Sequence, residues 1–186
     1  SSYEQLERLV SHIPEHAKRL METFWPGPLT VILPKSNLIP DQVSAGLPTV
    51  AVRLPSHPVA RAVIQEAGVP LAAPSANVSG SPSPTAAAHV LHDLDGKIDA
   101  VIDGGPCTIG LESTVITLAE ETPVLLRPGA VTLEQLQQVL GTVKMADAVL
   151  HQLKQGSVAA SPGMKYKHYA PKAKLILLEG SDEAFF

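Results

Sequence analysis

Hydrophobic residues along this chain alternate between a helical and an extended period. Leu6, Leu9, Val10 and Ile13 fall at helical spacing until Pro14 interrupts them. Pro14 suits the first turn of a new helix, whose face carries Ala17, Leu20, Met21 and Phe24 and which stops before Pro26-Gly27-Pro28. Leu29 to Leu33 reads as a buried strand closed by Pro34, and Thr49 to Arg53 as a second closed by Leu54-Pro55. Ser56 is placed to cap a helix over His57 to Ala67 that Gly68 stops. Pro70 to Ala73 predicts a short strand running into the polar loop Pro74 to Pro82. Ser83 is placed to cap a further helix, with Pro84 first and Gly96 at its end. Ala100 to Ile102 predicts another strand, followed by the turn Asp103-Gly104-Gly105-Pro106. Ser113 to Leu118 and Pro123 to Arg127 predict two more, joined by an acidic turn. Thr132 and Gln135 have the spacing of a capping box for a helix that ends at Gly141. Strands mixed with helices predict an α/β domain, a twisted mixed β-sheet flanked by helices.

From Thr142 to Pro171 the pattern dissolves, over a length that marks a linker or functional loop rather than an ordinary connection. Lys174 to Leu178 then restarts a buried strand. The expected organisation is a ligand-binding domain over 1–141, a linker over 142–172 and the opening of a second α/β domain over 173–186.

Composition narrows the functional classes. Aromatic residues make up 4% of the chain, so the core rests on Val, Leu, Ile and Ala. A net charge of −4 gives no global basic footprint for nucleic acid. The single cysteine, Cys107, leaves no internal disulfide and fits a reducing cytosol. No apolar run approaches the roughly 20 residues of a membrane span, and no charged-then-apolar leader is visible. The expectation is a cytoplasmic protein with no membrane partner.

Three features bear on chemistry, and all involve groups that recognise anions. Arg53 and Arg127 each end an apolar strand with proline close behind. At the rim of an open α/β sheet a guanidinium fork suits a carboxylate or phosphate, although a surface ion pair is the alternative for either taken alone. Second, Ala73-Pro-Ser75-Ala-Asn77 continues through Ser79-Gly80 to Ser83-Pro84-Thr85. Small hydroxyl residues with glycine can present donors to phosphate, or can simply form a turn and a helix cap. The Gly-Lys-Ser/Thr ending of a Walker loop is absent. Third, Gly104-Gly105 leads through Gly110-Leu-Glu112-Ser113-Thr114 into a strand, where glycine allows close backbone approach to a ligand. Glu112 is open to two readings, metal contact or turn cap. The histidines lack zinc spacing, and Cys107 stands in no nucleophile pattern.

In this order and spacing the segments resemble the YrdC-like family. The stretches that carry the resemblance are Phe24-Trp-Pro-Gly-Pro-Leu-Thr30, Thr49-Val-Ala-Val-Arg-Leu-Pro55, Ala73-Pro-Ser-Ala-Asn-Val-Ser-Gly80, Gly110-Leu-Glu-Ser-Thr-Val115 and Leu126-Arg-Pro-Gly129. Ser161-Pro-Gly-Met-Lys-Tyr-Lys-His-Tyr-Ala-Pro171 resembles the interdomain linker of the long, two-domain members. The resemblance implies a threonylcarbamoyl-AMP synthase, a nucleotidyltransferase that joins L-threonine, bicarbonate or CO2, and ATP, releasing pyrophosphate. A partner threonylcarbamoyl transferase complex then modifies tRNA, which leaves room for a contact with tRNA. By motif, Arg53, Ala73 and Ser113 are expected to hold threonine. Thr49, Ser75, Ser83, Arg127 and Gly163 are expected to meet ATP, with Mg2+ on the phosphates and no protein ligand for it that can be named. Tyr166, His168 and Tyr169 are expected in a lid over the cleft.

The chain departs from the family at its start. Nothing in it matches the family's opening Thr-x-Thr-x-Tyr-Gly-Leu-like stretch or its phosphate-binding Lys-x-Arg pair, because Lys18-Arg19 lacks the spacing. The chain is therefore expected to be N-terminally truncated, cut early in its second domain, and impaired as an isolated fragment. Two other readings stay open from sequence: a carbamoyl-transfer domain of hydrogenase maturation, and a non-catalytic RNA-binding module.

Overall fold

The computed structural model describes residues 3–150. Its elements in chain order are α1 (Tyr3–Leu9), α2 (Glu15–Phe24), β1 (Leu29–Pro34), α3 (Asp41–Ser44), β2 (Thr49–Val52), α4 (Pro58–Ala67), α5 (Ala87–Leu94), β3 (Thr114–Thr117), β4 (Val124–Arg127), α6 (Leu133–Leu140), β5 (Lys144–Met145) and α7 (Asp147–Leu150). The strands form one sheet in the order β2-β1-β3-β4-β5. β1 runs parallel to β3 and antiparallel to β2, while β4 runs antiparallel to β3 and parallel to β5, so the sheet is mixed as expected.

One face of the sheet carries the main core. Leu29, Val31 and Leu33 of β1, Val50 and Val52 of β2, Ile116 of β3 and Leu125 of β4 pack with Leu6, Ala17, Leu20, Met21 and Leu136 from the helices. Side chains alternate across a strand, so Thr30, Ile32, Thr49 and Ala51 turn to the opposite face. There a smaller cluster joins Ile32, Val115 and Leu126. Each buried Leu or Met side chain contributes about 1.5–3 kcal/mol, which makes the helix-covered face the stabilising one.

Local chemistry explains the element ends. Trp25 leaves helical geometry and donates its indole N–H to the Leu29 carbonyl at 2.7 Å, turning the chain from α2 into β1. Gly27 is required in that turn, since a Cβ there would collide with the Phe24 carbonyl oxygen. Thr132 and Gln135 form the expected capping box at the start of α6. Gly68 closes α4 with φ +65°, a conformation that glycine adopts without a steric penalty.

Several expectations are corrected. Residues 70–73 and 100–102 form no strand, because no ladder partner lies beside them among the described residues. Neither α4 nor α5 buries a side chain, and Leu71, Leu91 and Ile102 are exposed. Ser56 does not cap α4; His57 holds the cap position, with Pro58 at the first turn. Ser83 does not cap α5, which begins at Ala87 after Ala86 and leaves the Ser83 hydroxyl to another partner. The first helix stops at Leu9, and Val10 forms a bridge with Lys35. Lys144 and Met145 extend the sheet as β5, inside the stretch expected to be structureless linker. The strand expected at Lys174 to Leu178 lies outside the described residues.

Candidate functional site

The sheet face away from the main core gathers the polar groups. In parallel register Leu29 pairs with Thr114 and Thr30 with Val115, so Thr30 and Ser113 are diagonal neighbours on that face. Their hydroxyl oxygens lie 2.8 Å apart. Ser113 is 7% exposed and is held by Thr114, whose hydroxyl donates to the Val131 carbonyl at 2.7 Å and accepts from the Val131 N–H at 3.0 Å.

A break in the β3–β4 register aims Arg127 at the same place. Val115 pairs with Arg127 but Ile116 pairs with Leu125, so Leu126 is an extra residue on β4. Strict alternation would put Arg127 beside Leu125 in the core; the bulge turns it to the Val115 face instead. There its Nε donates to the Ser113 carbonyl at 3.0 Å and its Nη2 to the Ser113 hydroxyl at 3.1 Å. Arg53 follows β2 on the same face, since Val50 and Val52 alternate into the core.

The charge of Arg53 is felt at Arg127. Desolvation lowers the pKa of Arg127 most; the Glu112 carboxylate raises it and the Arg53 charge lowers it. Desolvation also lowers the pKa of Arg53. Taken whole, the Arg53 residue is exposed, while protein around its charged end still removes water. Both groups remain cationic at neutral pH because arginine starts so far above it. Two adjoining cations balanced by one carboxylate favour an anionic ligand. Glu112 in turn accepts a 2.7 Å hydrogen bond from the Ser83 hydroxyl, which brings the loop before α5 to this cluster.

The expected site residues divide into groups. Arg53, Ser113, Arg127 and Ser83 converge, the last through Glu112. Thr49 shares their sheet face but pairs with Pro34 at the far end of β2, roughly 13 Å along the strand from Arg53 by the rise per residue. Ala73 and Ser75 are exposed on the loop after Pro70, and no hydrogen bond among the described residues ties either to the arginine pair. Gly163, Tyr166, His168 and Tyr169 lie outside the described residues. Among the glycines before Ser113, Gly104 is packed against the His57 ring, which approaches the Gly104 carbonyl at 3.1 Å. The glycine that permits close approach at the site is Gly129, where a Cβ would lie 2.5 Å from the Glu112 carbonyl oxygen and 2.6 Å from the Thr114 nitrogen. Sequence reasoning had given Thr30 and Gly129 no individual role. For Thr30 the available signal was a polar residue inside the apolar run Leu29 to Leu33.

Among the described residues no group of three or more His, Cys, Asp or Glu is placed to hold a metal ion. Glu112 is a lone carboxylate whose oxygen is already bonded to Ser83. This donor set does not build a cage for magnesium.

Comparison with known proteins bears on family and fold. Residues 1–129 match the Sua5/YciO/YrdC family profile, described as "Telomere recombination". The chain belongs to the Sua5/YciO/YrdC family. Residues 131–185 match the C-terminal domain of threonylcarbamoyl-AMP synthase, so the two-domain form of the family is supported and the two matches meet at residue 130, just before α6. The threonylcarbamoyl-AMP synthase of Bacillus subtilis is 54% identical over 180 residues, covering 96% of this chain and 51% of that protein. The Pyrococcus abyssi synthase is 53% identical over 180 residues, covering 97% and 52%. The chain thus spans about half the length of the curated relatives it matches. Among solved structures, P. abyssi Sua5 in complex with L-threonine superposes with a TM-score of 0.92 at 51% identity, covering 99% of this chain and 54% of that one. YciO of E. coli superposes with a TM-score of 0.63 at 28% identity, over 69% of this chain and 63% of that one.

Proposed function

We propose that the full-length protein is a cytoplasmic threonylcarbamoyl-AMP synthase, and that residues 1–141 carry much of its catalytic domain. The observation that carries this reading is the convergence of Arg53, Arg127 and Ser113 on one sheet face, in a family whose P. abyssi relative was solved with L-threonine. The match of residues 131–185 to the synthase C-terminal domain favours this activity over a carbamoyl-transfer domain.

In the proposed reaction the amine of threonine adds to CO2, supplied directly or from bicarbonate, and loses a proton to become a carbamate. A carbamate oxygen then attacks the α-phosphorus of ATP, the bond to the bridging oxygen breaks, and pyrophosphate leaves. Because the nucleophile is already an anion, the chain must position it and neutralise charge rather than supply a strong base. Arg53 offers a planar fork to the threonine carboxylate, with Ser113 beside it and the Ala73 backbone close by. Arg127 faces the charge that develops on the phosphate side, while Thr49, Ser75 and Ser83 line the nucleotide. Magnesium bound with ATP would supply further charge neutralisation on the phosphates. The product passes to a threonylcarbamoyl transferase complex acting on tRNA.

Pyrophosphate release from the full-length protein tests this reading. Release that requires threonine, bicarbonate and ATP together is expected. AMP formation that depends on carbamoyl phosphate would replace it with the carbamoyl-transfer reading, and salt-sensitive RNA binding without turnover with the RNA-binding one.

A further inference from the structure

We infer that Thr30 is a positioning residue for the threonine-binding side of the cleft: its hydroxyl donates to Ser113 and so leaves the Ser113 O–H directed at the substrate. The inference rests on the proposed reading of Ser113 as a threonine contact.

A serine hydroxyl has one proton and two lone pairs. Arginine can only donate, so Arg127 Nη2 at 3.1 Å occupies one lone pair of the Ser113 oxygen. The Thr30 hydroxyl, 2.8 Å away, decides how the rest is used. If Ser113 donated to Thr30, it would retain a single lone pair and could only accept from a ligand. If Thr30 donates, both lone pairs are filled and the Ser113 proton is left for an anionic oxygen. The surrounding charge selects the second arrangement. Arg127, which donates to this hydroxyl, and Arg53 recruit an anion, whose oxygen needs a donor and would be repelled by a lone pair.

The geometry has little freedom to relax. Thr30 pairs with Val115 of β3 and directly precedes Val31, where the pairing with β2 begins, and Ser113 is pinned through its carbonyl by Arg127. Phe24 to Pro28 serve this placement by turning the chain tightly into β1, which gives the first matching sequence segment a role at the site.

Thr30→Val keeps the shape of the side chain and removes its hydroxyl; Thr30→Ser keeps the hydroxyl and removes the methyl. Both are measured in the full-length protein by pyrophosphate release, varying threonine at saturating ATP and then ATP at saturating threonine. Thr30→Val is expected to raise the KM for threonine about tenfold, as suits a misdirected hydrogen bond to a charged group, with the KM for ATP within about twofold of wild type. Thr30→Ser is expected to restore the wild-type values. An unchanged threonine KM in Thr30→Val, an equal rise for both substrates, or a Thr30→Ser protein as defective as the valine one would each overturn the inference. A wild-type protein with no threonine-dependent release would instead sink the functional reading. Calorimetric titration of threonine into wild type and Thr30→Val then decides the role of Thr30, because equal affinities would exclude it.

Discussion

Ser83 and Glu112, 29 positions apart in the chain, are joined by a 2.7 Å hydrogen bond from the serine hydroxyl to the carboxylate. Glu112 precedes Ser113 and steadies the charge of Arg127, so this bond couples the loop ahead of α5 to the arginine cluster. Glu112→Ala should therefore loosen the nucleotide side of the cleft. The expected outcome is a roughly tenfold rise in the ATP requirement for pyrophosphate release, the size of one lost charge-assisted hydrogen bond. Ser83→Ala should act in the same direction, and the double variant should fall short of the sum of the two single losses, because the bond they share is lost only once. Glu112→Gln, which can still accept from Ser83, should recover most of the loss. Additive effects in the double variant would show that the two residues act separately.

The sheet was legible where its strands pair among themselves. The runs Leu29 to Leu33, Thr49 to Arg53, Ser113 to Leu118 and Pro123 to Arg127 announced burial, and all four became strands with partners. Pro70 to Ala73 and Ala100 to Ile102 carry the same apolar signal, yet a strand exists only through its ladder, and beside them the described residues supply none. The arginines were legible as strand-end cations. Their convergence was implied by the family resemblance and not by the strand pattern, because the extra residue at Leu126 that turns Arg127 toward Ser113 leaves no mark in a simple alternation. Thr30 was hidden for a related reason: a threonine in an apolar strand reads as β-propensity until its neighbour across the sheet is known. Ser83 shows the converse error, since a serine ahead of a proline invites a cap but bonds elsewhere in the fold.

Arg53 separates the two substrates. Arg53→Ala should raise the threonine requirement by roughly tenfold to a hundredfold, matching a charge-assisted contact of about 1.5–3 kcal/mol, with a much smaller effect on ATP. Arg53→Lys should recover only part, since an ammonium keeps the charge but lacks the planar fork. Steady-state kinetics on the full-length protein provide the check. Equal losses for threonine and ATP would remove Arg53 from the carboxylate.

Gly129 sets how closely the turn after β4 approaches the start of β3. Gly129→Ala would place a Cβ 2.5 Å from the Glu112 carbonyl oxygen, 2.6 Å from the Thr114 nitrogen and 2.8 Å from the Thr114 hydroxyl. Backbone atoms cannot swing aside, so the strand start must shift, at a cost of about 1–3 kcal/mol or more. Gly110→Ala is the matched control, because a Cβ there meets nothing within 4 Å. Denaturant midpoints should fall clearly for Gly129→Ala and stay near wild type for Gly110→Ala. Indistinguishable midpoints would mean that the turn accommodates the methyl.

His16 gives the fold an acid-sensitive point. It lies on α2 with its Nε2 buried and without a hydrogen-bond partner among the described residues. Burial lowers its pKa most, the charges of Arg19 and His12 lower it further, and a hydrogen bond with the Leu118 backbone opposes them in part. The unfolded chain then takes up a proton near the ordinary histidine pKa of 6.5, while the folded chain takes it up only at lower pH. Between those two values the unfolded state binds more protons, so stability rises with pH. The contribution of His16 is therefore complete above the unfolded pKa and is lost as pH falls through that window. Replacing it by glutamine, which does not titrate, should flatten this slope in denaturation free energies measured from pH 8 down to about pH 5. An identical slope in wild type and His16→Gln would place the acid sensitivity on another group.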